Sequence, residues 1–133
     1  FAMEWAVAQG VALSLRRDTR PEPDVVVVRR AELVAGVVPR QAALVVEIAD
    51  TTLARDRRKA ALYASAGIPE YWIVNRPDDV VEVYREPVAS SASPTGFEFA
   101  SRRLARRGEV LQAVESLTAV PVDELLGPAG ATD

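Results

Sequence analysis

The alternation of apolar and polar positions divides the chain into segments. VALSLRR (11–17) repeats with a period of two, which predicts a half-buried strand. The elbow Arg20-Pro21-Glu22-Pro23 follows and reads as a turn. Asp24 then opens DVVVVR (24–29), a β-branched run without polar alternation that suits a central strand covered on both faces. AALVVEIAD (42–50) is a second such run, interrupted by Glu47 and closed by Asp50. An acid inside a buried run is costly unless something satisfies it, so Glu47 stands out from pattern alone.

From Thr51 or Thr52 onward the pattern becomes helical. TTLARDRRKAALYASAG predicts a helix with a threonine or Asp50 near its N-cap and Gly67 just past its end. EYWIVN (70–75) and VVEVYR (80–85) predict a hairpin across a turn at Pro77-Asp78-Asp79. EPVASSASPTG (86–96) reads as a flexible loop, FEFASRRL and the residues near Val110 as one or two edge strands, and 121–126 as a short last helix before a GPAGATD tail (127–133). The order strand, strand, helix, strand, strand gives an α/β or α+β sheet with a helix on one face. The 133 residues suit one domain, 1–133, with its core over 11–126. No internal repeat is visible, and no glycine-rich phosphate loop precedes a helix.

Composition narrows the chemistry. The 49% hydrophobic and 26% charged fractions are those of a globular protein, and no apolar run approaches the roughly 20 residues that span a bilayer, so no membrane partner is expected. The opening FAMEWAVAQG lacks the basic start and long apolar centre of a secretory signal, which makes a cytoplasmic location the expectation. The chain has no cysteine and no histidine, excluding disulfides, thiolate catalysis, cysteine or histidine zinc sites and Ser-His-Asp triads. Carboxylates, hydroxyls, lysine and arginine remain, together with hard cations such as magnesium or manganese that need only oxygen ligands. The net charge of −3 argues against a generally basic nucleic-acid coat, but not against a local basic groove.

If the strands carrying Asp24 and Glu47 are neighbours, their carboxylates converge, and two acids in one apolar surround repel each other unless a divalent cation sits between them. The backbone carbonyl of Ile48 offers a further oxygen, and water and a substrate phosphate would complete the octahedron that magnesium prefers. Such a site activates water and stabilises charge on a phosphodiester under in-line attack. On the following helix stands Lys59, the one lysine beside fifteen arginines, with Asp56 three residues before it and Tyr63 four after it on the same face. A lysine ammonium is a compact charge that can hold or polarise water, where arginine's guanidinium is planar. Each residue also has a plainer reading: Asp24 as a turn acid after Pro23, Glu47 as the buried partner of an arginine, and Lys59 as a solvated helix residue paired with Asp56.

PEPDVVVV, the long run VVEIADTTLARDRRKAALYASAGIPEYWIVN and VVEVYREP resemble the bacterial restriction-endonuclease-like proteins called the Uma-two family, a branch of the PD-(D/E)XK nuclease superfamily. The resemblance runs from about Val11 to the final Leu-Leu. It implies a restriction-endonuclease-like core, a mixed central sheet flanked by helices. It also implies helices before the first strand; only FAMEWAVAQG precedes Val11, so the core is expected without them. Carried over, Asp24 matches the acid of the PD half and Glu47 the acid of the (D/E)XK half, both as metal ligands. The superfamily's usual lysine lies two residues after that acid, where this chain has Ala49, and Lys59 stands as the displaced lysine.

The expected activity is a magnesium- or manganese-dependent DNA endonuclease with Asp24, Glu47 and Lys59 as its catalytic residues. The alternative is an inactive member of the fold serving as a binding or regulatory module, with a homodimer through an exposed strand as one arrangement. Arg55, Arg57 and Arg58 are candidates to hold DNA phosphates. Arg102, Arg103, Arg106 and Arg107 read instead as a solvated basic face, and Tyr71, Trp72 and Tyr84 as packing residues of the sheet.

Overall fold

The computed structural model describes residues 5–10, 12–15, 21–32, 39–113 and 119–128. Six strands form one mixed sheet in chain order: β1 Trp5–Gln9, β2 Val25–Arg29, β3 Leu44–Ala49, β4 Glu70–Asn75, β5 Val80–Ala89 and β6 Phe97–Arg106. Neighbours are antiparallel except β3 and β4, which run parallel because the helix α1, Leu53–Ser65, carries the chain back across the sheet between them. A separate ribbon of β7 Val110–Gln112 and β8 Ala119–Pro121 leads into the short helix α2, Val122–Leu126.

The two faces of the sheet carry separate cores, as strand alternation requires. On one face Val26, Val28, Val45, Ala49, Tyr71, Ile73 and Tyr84 pack under α1 with Tyr63 and Ile68. On the other, Val27, Leu44, Val46, Trp72, Val74, Val81 and Val83 pack with Leu111, Val122 and Leu126 from the ribbon and α2. The apolar runs at β2 and β3 follow from this double coverage. Tyr71, Trp72 and Tyr84 are packing residues: Tyr71 lies between the rings of Tyr63 and Tyr84 at 4.8 and 5.7 Å, and Trp72 is buried on the opposite face.

Helix α1 stops where its sequence indicates. Gly67 takes the left-handed conformation (φ +75°); its N–H donates to Ala64 and that of Ile68 to Tyr63, a Schellman stop closed by the buried Ile68 beside Tyr63. Thr52 is the N-cap residue, but its hydroxyl does not cap the backbone.

Three expectations are corrected. The first strand is not 11–17: residues 12–15 form no strand, while Val11, Arg16 and Arg17 lie outside the described residues. Instead WAVAQ pairs along the whole of β2, after which Gly10 (φ +61°) turns the chain and Leu13 buries itself by bonding to Pro21 across the elbow. The span 86–96 is only partly loop, since β5 continues to Ala89, with Pro87 opposite Phe99, and the turn proper closes between Ser90 and Gly96. The strand at Val110 belongs to the ribbon with β8 rather than to an edge of the main sheet; β6 is that edge.

Candidate functional site

The site lies where the N-terminal end of β2 meets the C-terminal half of β3, under α1. The register Val25↔Val46 continues one step to set Asp24 opposite Glu47. Both carboxylates are cross-tied to backbone: the Asp24 N–H donates to Glu47 Oε1 at 3.1 Å, and the Ile48 N–H donates to Asp24 Oδ2 at 2.7 Å. The elbow supports this entry, with Pro23 buried and the Gly10 N–H donating to the Asp24 carbonyl.

Glu47 is 3% exposed, yet Asp24 beside it faces solvent. Helix α1 satisfies the rest of the Glu47 carboxylate. Lys59 Nζ reaches Oε2 at 2.8 Å, and the Tyr63 hydroxyl donates to the same oxygen at 3.2 Å. These two residues are four apart and so lie one above the other on the helix. Burial, then the adjacent Glu47 charge, raises the Tyr63 phenol well above its ordinary range, which keeps it a neutral donor. The ammonium also stands 3.6 Å from Asp56 Oδ1, itself 2% exposed, whose other oxygen accepts the Thr52 hydroxyl at 2.7 Å.

The structure therefore brings Asp24, Glu47 and Lys59 together. Lys59 is not a solvated helix residue, because its side chain is 27% exposed and lies between two buried carboxylates. The Ile48 N–H points at Asp24, and since a strand residue's N–H and C=O point to the same side, its carbonyl is directed there too. Among the described residues no three carboxylates or other metal-binding side chains gather closely enough to hold an ion unaided. Two carboxylates, of which Asp24 alone faces water, and a carbonyl nevertheless fit magnesium, which commonly takes one or two carboxylates and keeps several waters for substrate oxygens to replace.

Arg57 does not join this group. Its Nε and Nη2 grip Glu82 on β5, the latter at 2.6 Å, so the expectation that it holds phosphate conflicts with a guanidinium already occupied. Residues two apart on a helix point in different directions, which sends Lys59 toward β3 and Arg57 toward β5. Arg55 and Arg58 are exposed on α1. The C-terminal arginines pair with neighbours: Arg103 with Glu109 at 2.6 Å, Arg107 with both oxygens of Asp79, and Arg102 with the Tyr84 hydroxyl.

Sequence reasoning gave no role to Tyr63 beyond its place on the helix face, none to Thr52 beyond capping, and did not single out Glu82. The signal for Glu82 was present, since Val80-Val81-Glu82 repeats the Val45-Val46-Glu47 pattern that drew attention to Glu47. A third buried glutamate, Glu70, faces the opposite core and accepts from Trp72 Nε1 at 2.6 Å and Arg85 Nε at 3.0 Å.

Comparison with known proteins shows the family and the fold. A family model described as "Uma2: Putative restriction endonuclease" matches residues 2–119. No curated protein matches the sequence. Among solved structures, a "putative nuclease belonging to DUF820" from Anabaena variabilis ATCC 29413 superposes with a TM-score of 0.68 at 12% identity, over 92% of this chain and 68% of that one. At that identity the likeness establishes the fold, a restriction-endonuclease-like core with a six-stranded mixed sheet. No helix among the described residues is long and apolar enough to cross a membrane.

Proposed function

The chain belongs to the Uma2 family, and from that premise we propose that it is an endonuclease hydrolysing phosphodiester bonds in DNA with a divalent cation, magnesium or manganese. The observation that carries this reading is the Asp24–Glu47–Lys59 group, in which a solvent-facing acid and a buried acid are locked by backbone bonds and the one lysine reaches the buried acid at 2.8 Å.

Asp24, Glu47 and the Ile48 carbonyl would hold the cation, whose chemistry is to neutralise charge on the scissile phosphate and to lower the pKa of a coordinated water. The protein's own groups supply position. Lys59 has three ammonium protons; the bond to Glu47 Oε2 uses one, and another would hold and orient an attacking water. Tyr63, a neutral phenol, steadies Glu47 Oε2 without adding charge. The Asp24–Ile48 and Glu47–Asp24 backbone bonds prevent either carboxylate from swinging away, so the geometry is preorganised. Arg55 and Arg58, exposed on the same helix, would take phosphates flanking the cut.

The test is cleavage of plasmid DNA in magnesium or manganese by the intact protein, beside Glu47→Gln and Lys59→Met. Cutting by the intact protein that both variants lose supports the reading. An intact protein that neither binds a divalent cation nor cuts overturns it in favour of a non-catalytic module of the same fold.

A further inference from the structure

Asp56 is a buried acid that the proposed reaction does not use. Buried carboxylates are costly without partners, and this one has two: the Thr52 hydroxyl at 2.7 Å and the Lys59 ammonium at 3.6 Å. Thr52 occupies the N-cap position, where a threonine hydroxyl ordinarily caps a backbone N–H. Here it makes no such cap and bonds the Asp56 carboxylate instead. The Tyr71 hydroxyl, which donates to the Asp56 carbonyl at 2.7 Å, fixes the same turn. Asp56 is thus held firmly beside an ammonium whose shorter contact is with Glu47.

We propose that Asp56 is a second seat for the Lys59 ammonium, which neutralises Glu47 when no cation is bound and leans to Asp56 when a divalent cation takes Glu47. The inference rests on the cation-binding reading above. Lys59 and a cation compete for one carboxylate, since like charges cannot share Glu47 Oε2 without strong repulsion. Without a second acceptor the ammonium would have to be driven off Glu47 uncompensated, and cation binding would weaken by that amount. Asp56 at 3.6 Å is near enough to receive it through rotation of the side chain alone. Asp56 is therefore a positioning residue that acts through Lys59; among the described residues it joins no group of three metal-binding side chains.

A double-mutant cycle on Mn²⁺ binding, read from loss of the free-ion EPR signal, tests this without reference to activity. Asp56→Asn, isosteric and still able to accept from Thr52, is expected to bind Mn²⁺ about ten-fold more weakly than wild type, as when outer groups around a metal site are altered. Lys59→Gln keeps a donor but removes the competing charge, and is expected to bind at least as tightly as wild type. The double variant should match Lys59→Gln within about two-fold, the scatter of independent effects. An unchanged Asp56→Asn overturns the proposal, as does a Lys59→Gln protein that binds more weakly than wild type. A weakening by Asp56→Asn that persists in the Lys59→Gln background also overturns it, because Asp56 would then attract the cation directly. Wild-type protein that binds no Mn²⁺ removes the cation-binding reading itself, and this inference with it.

Discussion

Glu47 and Glu82 stand on one rung of the sheet, separated by Ile73 on β4, and both are buried beneath α1. Each follows two valines, and each is met by a basic residue from the same helix, Lys59 for one and Arg57 for the other. Their surroundings differ in kind. Glu82 is fully enclosed and accepts from Arg57, from Asn75 Nδ2 at 2.9 Å and from the Tyr84 hydroxyl at 2.7 Å, with Arg102 3.6 Å away. Burial pushes its pKa upward, but those hydrogen bonds outweigh the burial and hold it below the ordinary glutamate value. That carboxylate is closed. Glu47 is served by a lysine, a neutral phenol and one backbone N–H, and it adjoins a second carboxylate that faces water. A buried acid with a basic partner is thus not in itself a site; on the proposed reading, the adjoining exposed acid makes the difference.

The largest expected contrast is in cleavage. Glu47→Gln should lower the rate of plasmid cutting by at least about 10²-fold, the scale of removing one electrostatic stabiliser from an active centre. Glu82→Gln should leave it within a few-fold. Equal losses would erase the distinction between the two glutamates.

Stability should show the reverse. Arg57→Ala removes the closest cationic partner of Glu82, and unfolding by urea should reveal a loss on the order of 2 kcal/mol, below the 3–5 kcal/mol of a fully buried pair because the guanidinium is 43% exposed and screened by water. Acid should expose the same linkage. Since the folded-state pKa of Glu82 lies below its unfolded value, its stabilisation is present at neutral pH and is lost as pH falls below about 4.3 toward the depressed value. The difference in unfolding free energy between wild type and Glu82→Gln should therefore shrink across that acid range; a difference independent of pH would contradict the assignment.

The smallest effect is expected at Tyr63. Tyr63→Phe removes one hydrogen bond to Glu47 and keeps the ring packed on Tyr71, so it should cost about 1 kcal/mol in thermal or urea unfolding. Its raised pKa adds a sign at high pH: stability held through the neutral phenol should decline as pH rises past about 10 in wild type, and less so in the Phe variant.

Much of this arrangement was legible in the chain. The strands β2, β3 and β4 and the helix α1 declare themselves through long apolar runs and a glycine stop, and the resemblance of PEPDVVVV and of the segment from Glu47 to Trp72 pointed to Asp24, Glu47 and Lys59. What stayed hidden depends on non-local partners. WAVAQ is a weak strand by composition and becomes one by pairing with β2; Pro87 reads as a loop residue yet pairs at the outer end of the β5–β6 ladder. That Arg57 turns to Glu82 is decided by where α1 sits over the sheet, which no local pattern encodes; the exchange of the Thr52 cap for Asp56 is made within the first turn of the helix itself.

The most direct test of the contrast between the two glutamates is the shift in thermal unfolding on adding Mn²⁺ to wild type, Glu47→Gln and Glu82→Gln side by side. A ligand at a hundred times its Kd stabilises a folded protein by about 2.7 kcal/mol. Wild type and Glu82→Gln should both gain on that scale, from different starting points, and Glu47→Gln should gain little. A Glu47→Gln protein stabilised as much as wild type, or a wild type not stabilised at all, would contradict the assignment of the cation to Glu47.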